Sequence, residues 1–177
     1  DDRGPARSAL FPILLSKGPL MRITVLGATG MAGTAVVNEA LSRDHEVTAV
    51  SRRRRHRAGA RLTSCLLDVT DGESVAGLLR DSDAAVVALR PPAGHESDLA
   101  RLTTAVLDAA SRSRTPLLII GGAAPLRSPG DPGTFAIDDP TIVPPVWRDV
   151  AQASLDQFRA CQAHNYEGWV YLSPPAI

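Results

Sequence analysis

Arg22-Ile23-Thr24-Val25-Leu26-Gly27-Ala28-Thr29-Gly30-Met31-Ala32-Gly33 opens on a β-branched strand, breaks into three glycines spaced three apart, and runs into an alanine- and valine-rich segment. Gly27 allows a sharp turn off the strand, Gly30 lets backbone come close to a phosphate, and Gly33 lets the next helix pack tightly on a sheet. Thr29 offers a hydroxyl, and the N–H groups of Met31 and Ala32 fall where a pyrophosphate sits at a helix N-terminus. This strand–turn–helix order predicts a dinucleotide-binding crossover; the plainer alternative is a glycine-rich turn with no ligand. The absence of a following Gly-Lys-Ser/Thr excludes a phosphate loop of the nucleoside-triphosphatase kind.

Strands and helices alternate outward from this stretch. Met31 to Ser42 reads as a helix whose Ala32, Val36, Ala40 and Leu41 face a sheet. Strands follow at Glu46 to Val50 and Leu62 to Leu67, then a short helix opened by Asp71-Gly72, with Val75, Leu78 and Leu79 on one face. Asp83 to Leu89 contains an unbroken apolar run, the mark of a strand covered on both faces. Glu96 to Arg112 repeats Leu99, Leu102, Val106 and Ala110 at helical spacing, and a strand follows over Leu117 to Ile120. Gly121 to Pro145 is a long loop rich in proline and glycine, a length that often carries function. Trp147 to Ala163 returns to helix, with Val150, Ser154, Phe158 and Cys161 on one side, and Trp169 to Leu172 is a sixth strand. The predicted fold is α/β: a doubly wound parallel sheet of the Rossmann type in a three-layer sandwich. Residues 1–20 read as an irregular extension, with Met21 as a natural start. Residues 21–177 read as one NAD(P)-binding domain, expected to be incomplete at its C-terminal end because such a sheet usually continues past this strand.

Composition narrows the partners. With 19 basic and 19 acidic residues among 177, the chain is neutral, and one arginine run is too small a footprint for nucleic acid. No apolar run approaches the length of a membrane span; Ala9 to Leu15 is short and broken by Pro12. Cys65 and Cys161 have neither metal-ligand nor disulfide-framework spacing, which suits a reducing cytoplasm. The four histidines are scattered, so no metal site is expected. Oligomeric state is open.

The strand ends carry the chemistry. A free adenosine ribose calls for an acid at the end of the second strand, a 2'-phosphate for arginine. Here Ser51, Arg52 and Arg53 stand there with no acid, which favours NADP(H) over NAD(H); Arg54, Arg55 and Arg57 read equally as a solvated loop. Asp68 and Val69 are placed either to meet the adenine edge or to make a turn before the next helix. Ala88, Leu89 and Arg90 end the fourth strand on the cofactor's ribose side. His95 is the histidine best placed to overlook the cofactor, Trp147 and Phe135 are candidate ring-stacking walls, and Asp138 and Asp139 read as loop acids. No catalytic residue is assigned.

The glycine spacing is similar to that of the extended and atypical branch of the short-chain dehydrogenase/reductase superfamily. Its standard members use Tyr-x-x-x-Lys, which is absent: Tyr166 and Tyr171 lack the lysine, and Lys17 is the only lysine. Gly27-Ala28-Thr29-Gly30, the Gly121-Gly122-Ala123 strand end, Asp138-Asp139-Pro140 and Ser173-Pro174-Pro175 more closely resemble the NAD(P)H-binding family of NADH-flavin reductases. Relatives of that family include the biliverdin reductase B type and NmrA-like regulators. The resemblance implies a nicotinamide near Gly121, Gly122, Ser173 and Pro174, and a hydride passed to flavin or a similar planar acceptor. Ala124-Pro125 stands where the family often has glycine and serine, so no serine-assisted step is implied. The alternatives are a non-catalytic NAD(P) sensor of the NmrA-like kind, or a nucleotide-sugar epimerase relative, which would need the missing tyrosine–lysine pair.

Overall fold

The computed structural model describes residues 19–52 and 59–174. Six strands form one parallel sheet: β1 (Arg22–Leu26), β2 (Glu46–Ser51), β3 (Leu62–Leu66), β4 (Ala84–Val87), β5 (Leu117–Ile120) and β6 (Trp169–Leu172). Their order is β3-β2-β1-β4-β5-β6. Helices α1 (Met31–Ser42), α2 (Gly72–Arg80), α3 (Asp98–Ser113) and α4 (Arg148–Ala163) fill the crossovers after β1, β3, β4 and β5. The direction of winding reverses between β1 and β4, and such a switch point leaves a crevice above the carboxyl ends of those strands.

Side-chain alternation along each strand builds two cores. Leu26, Val50, Val87 and Ile119 point to one face, where Leu79 of α2, Leu107 of α3 and Cys161 of α4 meet them, all fully or almost fully buried. Val25, Ala49 and Val86 point to the other, where Val37 and Ala40 of α1 meet them. Three helices therefore cover one face and α1 the other. On the α1 side, toward the sheet edge, Leu118 and Ile120 are half-buried, while Val170 and Leu172 of β6 remain 64% and 48% exposed.

Local signals explain most element ends. Asp71 caps α2, accepting from the Ser74 N–H at 3.1 Å. Arg114 takes the left-handed conformation (φ 57°) to end α3, two residues before Pro116. Strand β4 is shorter than the predicted Asp83 to Leu89: the Asp83 carboxylate accepts from the Arg22 backbone N–H at 2.7 Å just before it, and Ala88 and Leu89 leave its far end to line the cleft. The buried face of α1 is Gly33, Val37 and Ala40, flanked by Val36 and Leu41, so it is rotated slightly from the predicted one. In α4, Val150 faces outward, and Ala153, Ser154, Leu155, Gln157 and Cys161 are buried. That helix packs against α3 as well as the sheet, and Gln157 donates to Thr103 Oγ1 at 3.1 Å in the seam.

The long loop is a built structure. It holds 3-10 turns at Ala136–Asp138 and Pro145–Trp147, a bridge between Arg127 and Phe135, and a small core of Ala124, Ile137 and Leu155.

Gly33 is the tightest point of the α1 interface: a Cβ there would lie 2.2 Å from the Gly27 carbonyl oxygen. We expect Gly33→Ala to lower unfolding stability by about 2 kcal/mol or more in urea titration. Gly77→Ala, whose added Cβ would meet nothing closer than the Arg80 guanidinium at 3.7 Å, is expected to gain about 0.5 kcal/mol from helix propensity.

Candidate functional site

A cleft of about 710 Å³ opens above the carboxyl ends of β1, β2, β3 and β4. Its floor is the glycine turn. Gly27 has φ 86°, and a Cβ on it would lie 2.3 Å from the Ala88 carbonyl oxygen, so only glycine fits. The N–H groups of Gly27 and Ala28 both donate to the Val50 carbonyl, at 3.0 and 3.1 Å, which ties the turn to the end of β2. Gly30 is the N-cap of α1; a Cβ on it would meet the Gly27 carbonyl oxygen at 3.4 Å and the Ala88 carbonyl oxygen at 3.9 Å, both ordinary contacts. The first turn of α1 carries no acidic residue and no side-chain cap. Its N–H groups and the positive end of the helix dipole are thus left for an anion. This glycine-built cradle fits a pyrophosphate, with Gly27, Thr29 and Gly30 lining it. Met31, Ala32 and Gly33 lie just beyond the cleft lining as first-turn residues, with Gly33 beneath the turn.

Each neighbouring strand brings its last residues to the same cleft. β2 contributes Val50, buried Ser51 and exposed Arg52; Arg53 lies outside the described residues. From the end of β4 come Ala88, Leu89 and Arg90, followed by Pro91 and Pro92. After β3 come Asp68, Val69 and Thr70. Asp68 Oδ1 accepts from the Thr70 N–H at 2.9 Å and the Thr70 hydroxyl at 2.8 Å. Those two bonds, with smaller help from the charges of Arg52 and Arg101, hold the carboxyl below its usual range. Asp68 thus makes a turn and also lines the cleft.

Gly121, Gly122, Ser173 and Pro174 stand apart from this lining, at the ends of β5 and β6. The Gly121 N–H donates to the Leu172 carbonyl at 3.0 Å. A Cβ on Gly121 would fall 2.0 Å from the Tyr171 ring, and one on Gly122 would fall 2.7 Å from Ser154 Oγ. The Tyr171 hydroxyl has acceptors in the Ser154 carbonyl at 3.0 Å and Gln157 Oε1 at 3.1 Å. Burial pushes this phenol's pKa up. Tyr171 is therefore a bonded support under the glycines.

The remaining candidates separate by environment. Phe135 has the Arg127 guanidinium over its ring at 4.1 Å and packs on the small loop core, so its ring is engaged within the loop. Trp147 is 56% exposed beside Val146. His95 stands outside the cleft, 3.7 Å from Asp98. Asp138 faces Arg148 at 3.6 Å, and Asp139 accepts from the Ser128 hydroxyl at 2.8 Å, so both tie the loop together. Among the described residues, no three His, Cys, Asp or Glu side chains gather as a metal-binding group, and no helix is long and apolar enough to cross a membrane.

Sequence reasoning missed Val50, Thr70, Pro91, Pro92, Asp98, Arg101 and Leu102 as lining residues. The Asp-x-Thr spacing of Asp68 and Thr70 was a readable turn signal. Asp98 and Arg101 sit on the polar side of α3, which an apolar-stripe reading passes over.

Residues 27–177 match the family described as NAD(P)H-binding, and the chain belongs to it. The uncharacterized protein YwnB of Bacillus subtilis is 30% identical over 160 residues, 89% of this chain and 73% of its own length. Two solved structures are each 26% identical. One is a candidate NADH-flavin reductase from Streptococcus pneumoniae, with TM-score 0.72, covering 87% of this chain and 71% of that one. The other is a candidate epimerase from Bacteroides thetaiotaomicron, with TM-score 0.78, covering 90% and 73%.

Thr70→Val deletes one of the two bonds to Asp68 Oδ1, so the Asp68 titration is expected to move up toward the ordinary carboxylate value, read by carboxyl-carbon NMR. The lowered folded-state value contributes stability above the unfolded-state pKa, and that contribution is lost as pH falls through the folded value. The part of the stability difference that Asp68 causes between wild type and variant is thus present at neutral pH and vanishes in acid.

Proposed function

From membership of the NAD(P)H-binding family, we propose that the chain is an NADPH-dependent reductase acting on flavin or a similar planar acceptor. The observation that carries the reading is the end of β2, which presents Ser51 and Arg52 to the cleft with no carboxylate at that position. A buried hydroxyl and a planar guanidinium suit a ribose 2'-phosphate, which carries about two negative charges. The cofactor-binding set is the glycine turn (Gly27 to Gly33), Ser51 with Arg52 and Arg53, Asp68 with Val69, and Ala88 to Arg90. Gly121, Gly122, Ser173 and Pro174 belong to the nicotinamide end.

When bound, the reduced nicotinamide supplies the hydride. The protein's part is to bind and align. The first turn of α1 holds the phosphates, and the β4 end flanks the ribose. Tyr171 and Ser154 fix the level of the Gly121–Gly122 backbone, on which a flat ring can rest. Among the described residues, Trp147 is the most exposed aromatic side chain and is the candidate to meet a planar acceptor. No protein acid is required where two rings are aligned and water supplies the proton. A cytoplasmic setting, where free thiols such as Cys65 and Cys161 persist, accords with this reading.

A second reading, a dinucleotide sensor of the NmrA-like kind, shares with the reductase a start of α4 that speaks against ordinary dehydrogenase chemistry and does not separate the two. Trp147 and Ala151 hold the spacing at which standard short-chain dehydrogenases carry tyrosine and lysine.

The test is NADPH oxidation with FMN, FAD or riboflavin, with NADH alongside. Turnover favouring NADPH supports the reductase; tight NADPH binding without turnover supports the sensor; and no binding of either nucleotide overturns both. Arg52→Ala is expected to weaken NADPH binding about tenfold or more while leaving NADH nearly unchanged.

A further inference from the structure

The seam between α3 and α4 carries a directed chain of hydrogen bonds. Thr103 of α3 and Gln157 of α4 are both completely buried in it. The Thr103 hydroxyl donates to the Leu99 carbonyl at 2.8 Å, so toward Gln157 it can only accept. It takes a bond from Gln157 Nε2 at 3.1 Å, which leaves the amide oxygen turned the other way. That oxygen, Oε1, lies 3.1 Å from the Tyr171 hydroxyl, whose second acceptor is the Ser154 carbonyl at 3.0 Å. The Gly122 N–H acts on the same phenol oxygen, partly opposing the rise that burial gives its pKa. The hydroxyl end of Tyr171 is also what a Cβ on Gly121 would strike, at 2.0 Å. One phenol oxygen thus stands between a buried amide of α4 and the backbone of both glycines. An apolar side chain of similar size would fill the seam without desolvating an amide. What Gln157 adds is direction.

We infer that Gln157 is a positioning residue for hydride transfer: it holds the Tyr171 hydroxyl, and through it the Gly121–Gly122 backbone, at the level that aligns the reacting ring, and Thr103 fixes which end of the amide meets Tyr171. This role rests on the reductase reading and deepens it. The reaction served moves a hydride from the nicotinamide C4 to a ring nitrogen of the oxidised flavin and a proton from water to a second ring nitrogen, so none of the three side chains gains or loses a proton.

Gln157→Leu and Tyr171→Phe, made in the full chain, test it against wild type. The readouts are NADPH-to-FMN turnover, the dissociation constant of 2'-phospho-ADP-ribose (which lacks the nicotinamide) beside that of NADPH, and the Gly121 and Gly122 amide resonances. In Gln157→Leu the Tyr171 hydroxyl keeps its Ser154 acceptor and the Thr103 hydroxyl its Leu99 acceptor, so no buried donor is orphaned. That variant is expected to fold, which thermal unfolding checks; should it not, Tyr171→Phe carries the same readouts. We expect kcat to fall about tenfold with KM for NADPH changed less than about threefold, both glycine amides to shift, and 2'-phospho-ADP-ribose to bind as before. Tyr171→Phe should do the same, and the double variant no more than either alone. Thr103→Val should reproduce the loss, and Thr103→Ser, which keeps the hydroxyl, should restore it. Unchanged kcat in Gln157→Leu, unmoved glycine amides, or additive losses in the double variant would each overturn the role. Equal weakening of NADPH and 2'-phospho-ADP-ribose would do so too, marking Gln157 as a core residue only. Wild type that reduces no acceptor removes the reductase reading itself, whereas variants that turn over as fast as an active wild type remove this role alone.

Discussion

The contact between Gly33 and the Gly27 carbonyl sets the geometry on which the rest of the structure depends. With only 2.2 Å between a would-be Cβ and that oxygen, α1 lies directly on the turn that leaves β1. This closeness puts the helix N-terminus above the strand ends and places Val37 and Ala40 against Val25, Ala49 and Val86. Gly27 meets a second limit from the other side, the Ala88 carbonyl at the end of β4. Three backbone segments therefore converge where side chains would keep them apart, leaving a gap at the N-terminus of α1, which no side chain caps. One packing constraint thus serves both the core and the cleft.

Strand and helix order was legible because buried parallel strands are continuous apolar runs and their crossover helices carry an apolar stripe. Leu117–Ile120 and Trp169–Leu172 stand where those signals put them. The finer faces were less legible. Gln157 is fully buried in α4 because Thr103, 54 residues away in sequence, supplies its partner, and no periodicity announces such a bond. The glycine turn and the ends of β2, β3 and β4 are the places where local chemistry and topology coincide, so those cleft residues could be named from the sequence. Arg101 could not, because its place in the cleft depends on how α3 lies against the ends of β3 and β4.

The two ends of the candidate site are built differently. The end proposed for adenosine is a cleft lined by backbone, charged side chains and apolar residues such as Val69 and Leu89. The β5–β6 end is a pair of glycines, Gly121 against Tyr171 and Gly122 against Ser154, with the Tyr171 hydroxyl bonded to α4. A tyrosine so held, with its proton retained by burial, works as a strut and is poorly suited to proton exchange. This agrees with chemistry that asks the protein for alignment and leaves bond-making to its cofactor.

The uneven cover of the sheet has a consequence for motion. Strands β1 and β4 have a strand on either side and apolar packing on both faces, whereas β6 is an edge strand with Val170 and Leu172 turned outward. Opening β6 exposes less new apolar surface, so its amides should exchange with solvent sooner than those of β1. Tyr171 belongs to β6, and Gly121, at the end proposed for the nicotinamide, rests on it. The seat proposed for the reacting ring is thus attached to an edge strand and the proposed phosphate seat to a central one, so a nucleotide gripped by its tail would rest its other end on the part of the sheet that opens more readily.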